Sequence, residues 1–138
     1  SVVTVEPGDS ISDVATKLAQ HGVSGAPVVE GGKVIGMITE SDIIRAVAIP
    51  KPNEGPLRLL SAIADPSLVE RRSGKKTVAD SMSTLVVETS PQASLREAAA
   101  EMEERGVNRL PVVKENGILV GIISRADLVR HLAENPKR

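Results

Sequence analysis

Two short segments of this chain set a hydroxyl three residues ahead of a carboxylate, where a strand-like pattern gives way to a helical one. They are Thr39-Glu40-Ser41-Asp42 and Ser124-Arg125-Ala126-Asp127. A helix N-terminus carries unpaired N–H groups and a partial positive charge, which suit a phosphate, and the hydroxyl adds one more hydrogen bond. An Asp one turn in can accept two hydrogen bonds from a ribose diol, as acidic residues do in other nucleotide folds. The same spacing is also a capping box, in which hydroxyl and carboxylate satisfy the helix's own N–H groups. The residues alone leave both readings open. Their duplication does not decide between them, because a duplicated helix needs a duplicated cap.

The elements that must position these corners are themselves duplicated. Pro7, Ser10, Ala15, Gly22, Val23, Pro27, Val28 and Val29 recur at one fixed offset as Pro91, Ser94, Ala99, Gly106, Val107, Pro111, Val112 and Val113. After a slip of one residue, Gly32, Gly36, Ile38, Asp42 and Arg45 answer to Gly117, Gly121, Ile123, Asp127 and Arg130. Such a repeat predicts two copies of one supersecondary unit that bury their faces against each other. Each copy opens on a short extended segment. A helix follows, capped by Ser10 or Ser94, striped with Ile11, Val14 and Leu18 or with Leu95, Ala98 and Met102, and stopped by Gly22 or Gly106. Two β-rich runs joined through Gly31-Gly32 or Asn116-Gly117 then read as hairpins. A second helix, over about 40–47 or 125–132, closes the unit. The predicted fold class is α+β: two β-α-β-β-α repeats about a pseudo-twofold axis.

The first repeat is assigned to 1–48 and the second to 77–138. Between them, 49–76 reads as a linker carrying Pro50, Pro52 and Pro56, a short helix at 57–63 and a basic stretch at 71–76. The run 77–83 reads as a capped turn leading into the second repeat. The opening at Ser1, already inside an apolar run, suggests an excised piece of a longer chain.

Composition narrows the function. The formal charge is −1, from 17 basic and 18 acidic residues, so no long-range field draws the chain toward nucleic acid or anionic lipid. There is no Phe, Tyr or Trp, so bases cannot be stacked on aromatic rings, and any base must lie between aliphatic side chains. There is no Cys, which excludes disulfides and thiolate zinc sites. No apolar run reaches transmembrane length, and a cytoplasmic location is expected. His21 and His131 sit near predicted helix ends as dipole partners, and no metal site is expected. No nucleophile elbow, Walker loop or zinc-protease motif is present, so an enzyme is not expected.

The ordered motifs resemble the CBS (cystathionine β-synthase) domain. In the second repeat they run Val78-x-Asp80-x-Met82, then P-x-x-S-L-x-E-A, G-V-x-x-L-P-V-V and G-I-I-S-x-x-D. The first repeat carries P-x-x-S-I-S-D-V, G-V-S-G-A-P-V-V and G-M-I-T-E-S-D, without the leader. The resemblance implies a tandem CBS pair, or Bateman module, that senses or regulates and does not catalyse. It implies an adenosine ligand between the repeats: AMP, ADP or ATP, with S-adenosylmethionine as an alternative. It also implies a homodimer and a fused or separate regulated protein. A purely structural assembly module is the competing function.

The resemblance turns Thr39, Asp42, Ser124 and Asp127 into expected ligand contacts, with capping as a compatible second role. Ser24 and Asn108 fall in the cleft walls. Arg109 is expected to reach phosphate in the cleft served by Asp42, a task for which a guanidinium is suited. Gly25, its counterpart, cannot serve the Asp127 cleft, so two unequal clefts are predicted. The base is expected against Val5, Val23, Ala26, Pro27 and counterparts such as Pro111.

Overall fold

The structure, a computed structural model, describes residues 2–48 and 76–134. The sequence-derived linker, its helix at 57–63 and all but the last residue of the basic stretch lie outside the described residues. Helix α1 spans Ile11–His21, strands β1 and β2 span Gly25–Glu30 and Lys33–Thr39, and α2 spans Glu40–Ala48. A short helix α3, Val78–Ser81, precedes α4 (Leu95–Arg105), β3 (Arg109–Val113), β4 (Leu119–Ser124) and α5 (Arg125–Glu134). The architecture is α+β, as expected, with two antiparallel strand pairs, β1–β2 and β3–β4.

The two halves repeat one another down to their caps. Ser10 and Ser94 each accept the third backbone N–H of their helix, at 3.1 Å in both. Gly22 and Gly106 end those helices with φ of 63° in each, the left-handed conformation that glycine adopts without a Cβ penalty. Both hairpins shift register at matched places, between Val28 and Val29 and between Val112 and Val113. The predicted leading strands shrink to single parallel bridges, Val5 to Val28 and Thr89 to Val112. Pro7 and Pro91 follow shortly after. Each opens a turn, and neither has an N–H to extend a ladder.

The hairpin tips join the halves, with Val34 N–H donating to the Gly117 carbonyl at 3.3 Å and Leu119 N–H to that of Gly32 at 3.0 Å. A second junction is made by 76–83. Val78 N–H donates to the Asp9 carbonyl at 2.9 Å, and Met37 and Ser83 exchange backbone hydrogen bonds of 2.9 Å. The Val78 side chain is fully buried in the first half's core with Val5, Ile11, Val14 and Leu18. Sequence order attaches this capped turn to the second half, but its burial attaches it to the first. Gly36 permits the crossing, since a Cβ there would stand 2.7 Å from the Met82 sulfur and 2.9 Å from the Ser83 carbonyl. The second half's buried core is smaller: Ala98, Met102, Leu110 and Leu128.

Candidate functional site

Strand β2 ends at Thr39 and α2 begins at Glu40, so the chain turns a corner with Asp42 one turn in. The Asp42 carboxylate accepts the Thr39 N–H at 2.9 Å and the Thr39 hydroxyl at 3.1 Å, and Arg45 Nη1 holds its other oxygen at 3.1 Å. At the matched corner Asp127 accepts the Ser124 N–H at 3.1 Å and Arg130 Nη2 at 2.7 Å, while Asp127 N–H donates to the Ser124 hydroxyl at 3.1 Å. These bonds, the Ser124 N–H first among them, hold the Asp127 carboxyl below the ordinary carboxylate range. Both hydroxyl–Asp pairs are capping boxes. Each corner also spends its next N–H internally, Glu40 on the Ser24 carbonyl and Arg125 on that of Asn108, both at 2.9 Å. The corner N–H groups of Thr39, Glu40, Ser124 and Arg125 are thus already engaged within the protein, which leaves side chains as the groups at each corner able to meet an anion.

Those carbonyls carry the second half of the geometry. Ser24 and Asn108 lead into β1 and β3, so the strand–helix corner of one half is tied to the helix–strand corner of its own hairpin partner. Across the pseudo-twofold axis each corner faces the other half. One cleft, of ≈ 270 Å³, brings Thr39 and Asp42 from the first half to Val107, Asn108 and Arg109 from the second. Leu85 and Val87, from the extended segment before α4, add an apolar wall. The other cleft, of ≈ 360 Å³, brings Ser124 and Asp127 to Val23, Ser24 and Gly25, with Val2 and Val3 as its wall. Asp42 is the more enclosed carboxylate, its side chain 14% exposed against 35% for Asp127.

The expected polar contacts thus assemble as two mirrored sets. Val5, Ala26, Pro27 and Pro111 do not join them. All four are fully buried and line neither cleft: Val5 and Ala26 pack in the first half's core with Ile11 and Val14, while Pro27 and Pro111 lie opposite the cleft-lining Met37 and Ile122 but are themselves covered. Sequence reasoning passed over Met37, Leu85 and Val87, and gave Arg45 and Arg130 no role although the repeat had matched them. An arginine three residues after a helical Asp is the signal that would have found that pair.

Arg109 lines both clefts. Its Nη2 donates to the Ser24 hydroxyl, and a Cβ on Gly25 would stand 2.8 Å from Nη1. Burial pulls its pKa below the usual guanidinium value, and the Glu40 carboxylate nearby opposes that pull. Among the described residues no group of three His, Asp or Glu side chains comes together to hold a metal. No described helix is long and apolar enough to cross a membrane.

Comparison with known proteins accounts for this duplication. The CBS domain family matches residues 1–49 and 78–134. The CBS domain-containing protein YhcV of Bacillus subtilis is 33% identical over 97% of this chain and 81% of its own. The CBS domain of a CBS domain containing membrane protein from Sphaerobacter thermophilus is 36% identical and superposes with a TM-score of 0.73. That alignment covers 94% of this chain and 80% of the other. Arabidopsis thaliana CBSX2, solved in complex with AMP, is 26% identical with a TM-score of 0.76, over 100% of this chain and 92% of its own. With the family matched in both halves and the fold shared along nearly the whole chain, this protein belongs to the CBS domain family as a tandem CBS pair.

Proposed function

We propose that this chain is a regulatory module that binds an adenine nucleotide (AMP, ADP or ATP) between its repeats, with residues 49–76 linking a repeat of 1–48 to one of 77–138. The observation that carries this reading is the Asp42 cleft. It places a hydroxyl, a diol-sized carboxylate and a guanidinium around one opening, with Val87 and Val107 as aliphatic walls. Its ≈ 270 Å³ falls just below the usual range of small-molecule sites, about 300–1,000 Å³. The AMP complex of CBSX2 supports the ligand class. Asp42 would receive the ribose diol and Arg109 the phosphate, which makes the Asp42 cleft the better of the two for phosphorylated ligands. Bound nucleotide bridges the halves, and it acts as a switch to the extent that it favours one arrangement over another. The role is regulatory, in the cytoplasm, toward a protein partner fused or separate.

The module works as a homodimer in this reading. Ile44 on α2 and Val129 on α5 occupy matched positions in the two repeats and are 61% and 66% exposed, one large apolar side chain left uncovered on each helix. Light scattering should give a dimer mass, and a monomer for the Ile44→Glu, Val129→Glu double variant.

Equilibrium dialysis against AMP, ATP and S-adenosylmethionine tests the ligand. The chain has no Trp, Tyr, Phe or Cys, so retained adenine is read directly by ultraviolet absorbance. Retention of AMP or ATP near one per chain, weakened at least tenfold by Asp42→Ala, is the expected result. Retention of S-adenosylmethionine alone would replace the nucleotide. Retention of none would leave an assembly module.

A further inference from the structure

Arg109 starts β3 opposite Ser124, and its counterpart at the start of β1 is Gly25. By that symmetry it belongs to the Asp42 cleft, beside Asn108. Its guanidinium nevertheless lies over Gly25 and donates to the hydroxyl of Ser24, a residue of the other cleft. Two clefts that each open on an aspartate therefore have one guanidinium at the boundary between them. Gly25 supplies no second cation, and its missing Cβ is what lets the first one lie there. The other arginines at the two corners, Arg45, Arg125 and Arg130, are paired with Asp42, Glu103 and Asp127.

We propose that Arg109 is a single cation shared by the two clefts: it rests on Ser24 when the clefts are empty and is drawn to an anionic ligand in the Asp42 cleft. The proposal rests on the adenine-nucleotide reading above. A guanidinium held by Ser24 has that N–H already spent, so a phosphate in the Asp42 cleft must compete with the Ser24 hydroxyl. Withdrawal of the side chain in turn uncovers Gly25 and Ser24 in the Asp127 cleft. By linkage, whatever enters the second cleft feels the occupancy of the first to the same degree. Among the described residues Arg109 is the arginine lining the second cleft, so its withdrawal leaves that cleft favouring an uncharged nucleoside over a phosphorylated one.

Calorimetric titration of the full chain with AMP, and separately with adenosine, tests this in the wild type, Ser24→Ala and Arg109→Gln. AMP is expected to bind the wild type in one tight step and a second at least tenfold weaker. Ser24→Ala should tighten the first step by about three- to tenfold, the range set by losing one competing hydrogen bond, although Ser24 lines the opposite cleft. Arg109→Gln should merge the two AMP steps and weaken AMP at least tenfold more than adenosine. A Ser24→Ala first step that is unchanged or weaker overturns the shared cation and leaves two clefts that are merely unequal. Two equal, independent AMP steps in the wild type overturn it as well, while the adenine-nucleotide reading stands. Failure of both AMP and adenosine to bind removes that reading and this proposal with it. Ser24 is exposed, so Ser24→Ala should still fold cooperatively, its ligand-free unfolding midpoint lowered by no more than the one hydrogen bond lost.

Discussion

Asp42 and Asp127 make nearly the same bonds, each to the corner residue before its helix and to an arginine one turn on, yet they sit in different surroundings. The Asp42 cleft is walled by Leu85 and Val87, which follow the 76–83 segment that crosses onto β2, and Arg109, which also lines the other cleft, stands beside its Asn108. The Asp127 cleft has Val2 and Val3 as its wall and faces Gly25. The same asymmetry runs into the interior. Val78 completes the first half's core, whereas the second half buries fewer large side chains. Duplication has supplied two copies of the local chemistry, and the crossing segment together with a Gly-to-Arg difference has made them unequal.

The sharpest test of that inequality compares matched core positions. Ile38 is fully buried, while its counterpart Ile123 is only half-buried. Ile38→Ala should cost about 3–4 kcal/mol and Ile123→Ala about half of that in urea unfolding. Equal losses would mean the two cores are equivalent after all. The crossing segment is probed next. Gly36→Ala should cost about 1–3 kcal/mol, because the new methyl meets the Met82 sulfur and the Ser83 carbonyl. At the matched Gly121 the nearest atom to such a methyl is 3.9 Å away, so Gly121→Ala should be neutral or slightly stabilising. Val78→Ala should cost about 2 kcal/mol, as a buried side chain losing two methyl groups. An unaffected midpoint would detach the segment from the first core.

Smaller effects should be symmetric. Ser10→Ala and Ser94→Ala each remove one N-cap acceptor and should each cost about 1 kcal/mol. The smallest effect concerns acid. The folded pKa of Asp127 is depressed, so its contribution is whole above the ordinary carboxylate value of 3.8 and is lost as pH falls through the lower folded value. Asp127→Asn should therefore flatten the stability profile below about pH 4, and an unchanged acid limb would show that its bonds do not persist in solution.

Much of this fold was legible without coordinates. The serine caps, the glycine stops, the hairpins and the antiparallel pairing all follow from short-range patterns, and each appears where the repeat put it. Thr39, Asp42, Ser124, Asp127, Asn108 and Ser24 do converge on clefts, since all lie at element ends, which the sequence marks. The assignments that moved, Val5, Ala26, Pro27 and Pro111, lie in or beside strand interiors, where the face that meets solvent depends on what packs above it. An apolar residue there reads the same whether it lines a cleft or fills a core.

The sequence by itself determined the duplicated unit, the identity of its capping residues and the absence of an aromatic platform, because these depend on residue type and on spacing along a few turns of chain. Tertiary structure alone decided that Val78 belongs to the first core, that Leu85, 91% exposed, stands in a cleft wall, and that Arg109 reaches across to Ser24. Those facts involve residues far apart in sequence. They are set by where a crossing segment docks and by the space a missing Cβ leaves, and neither is written in local periodicity.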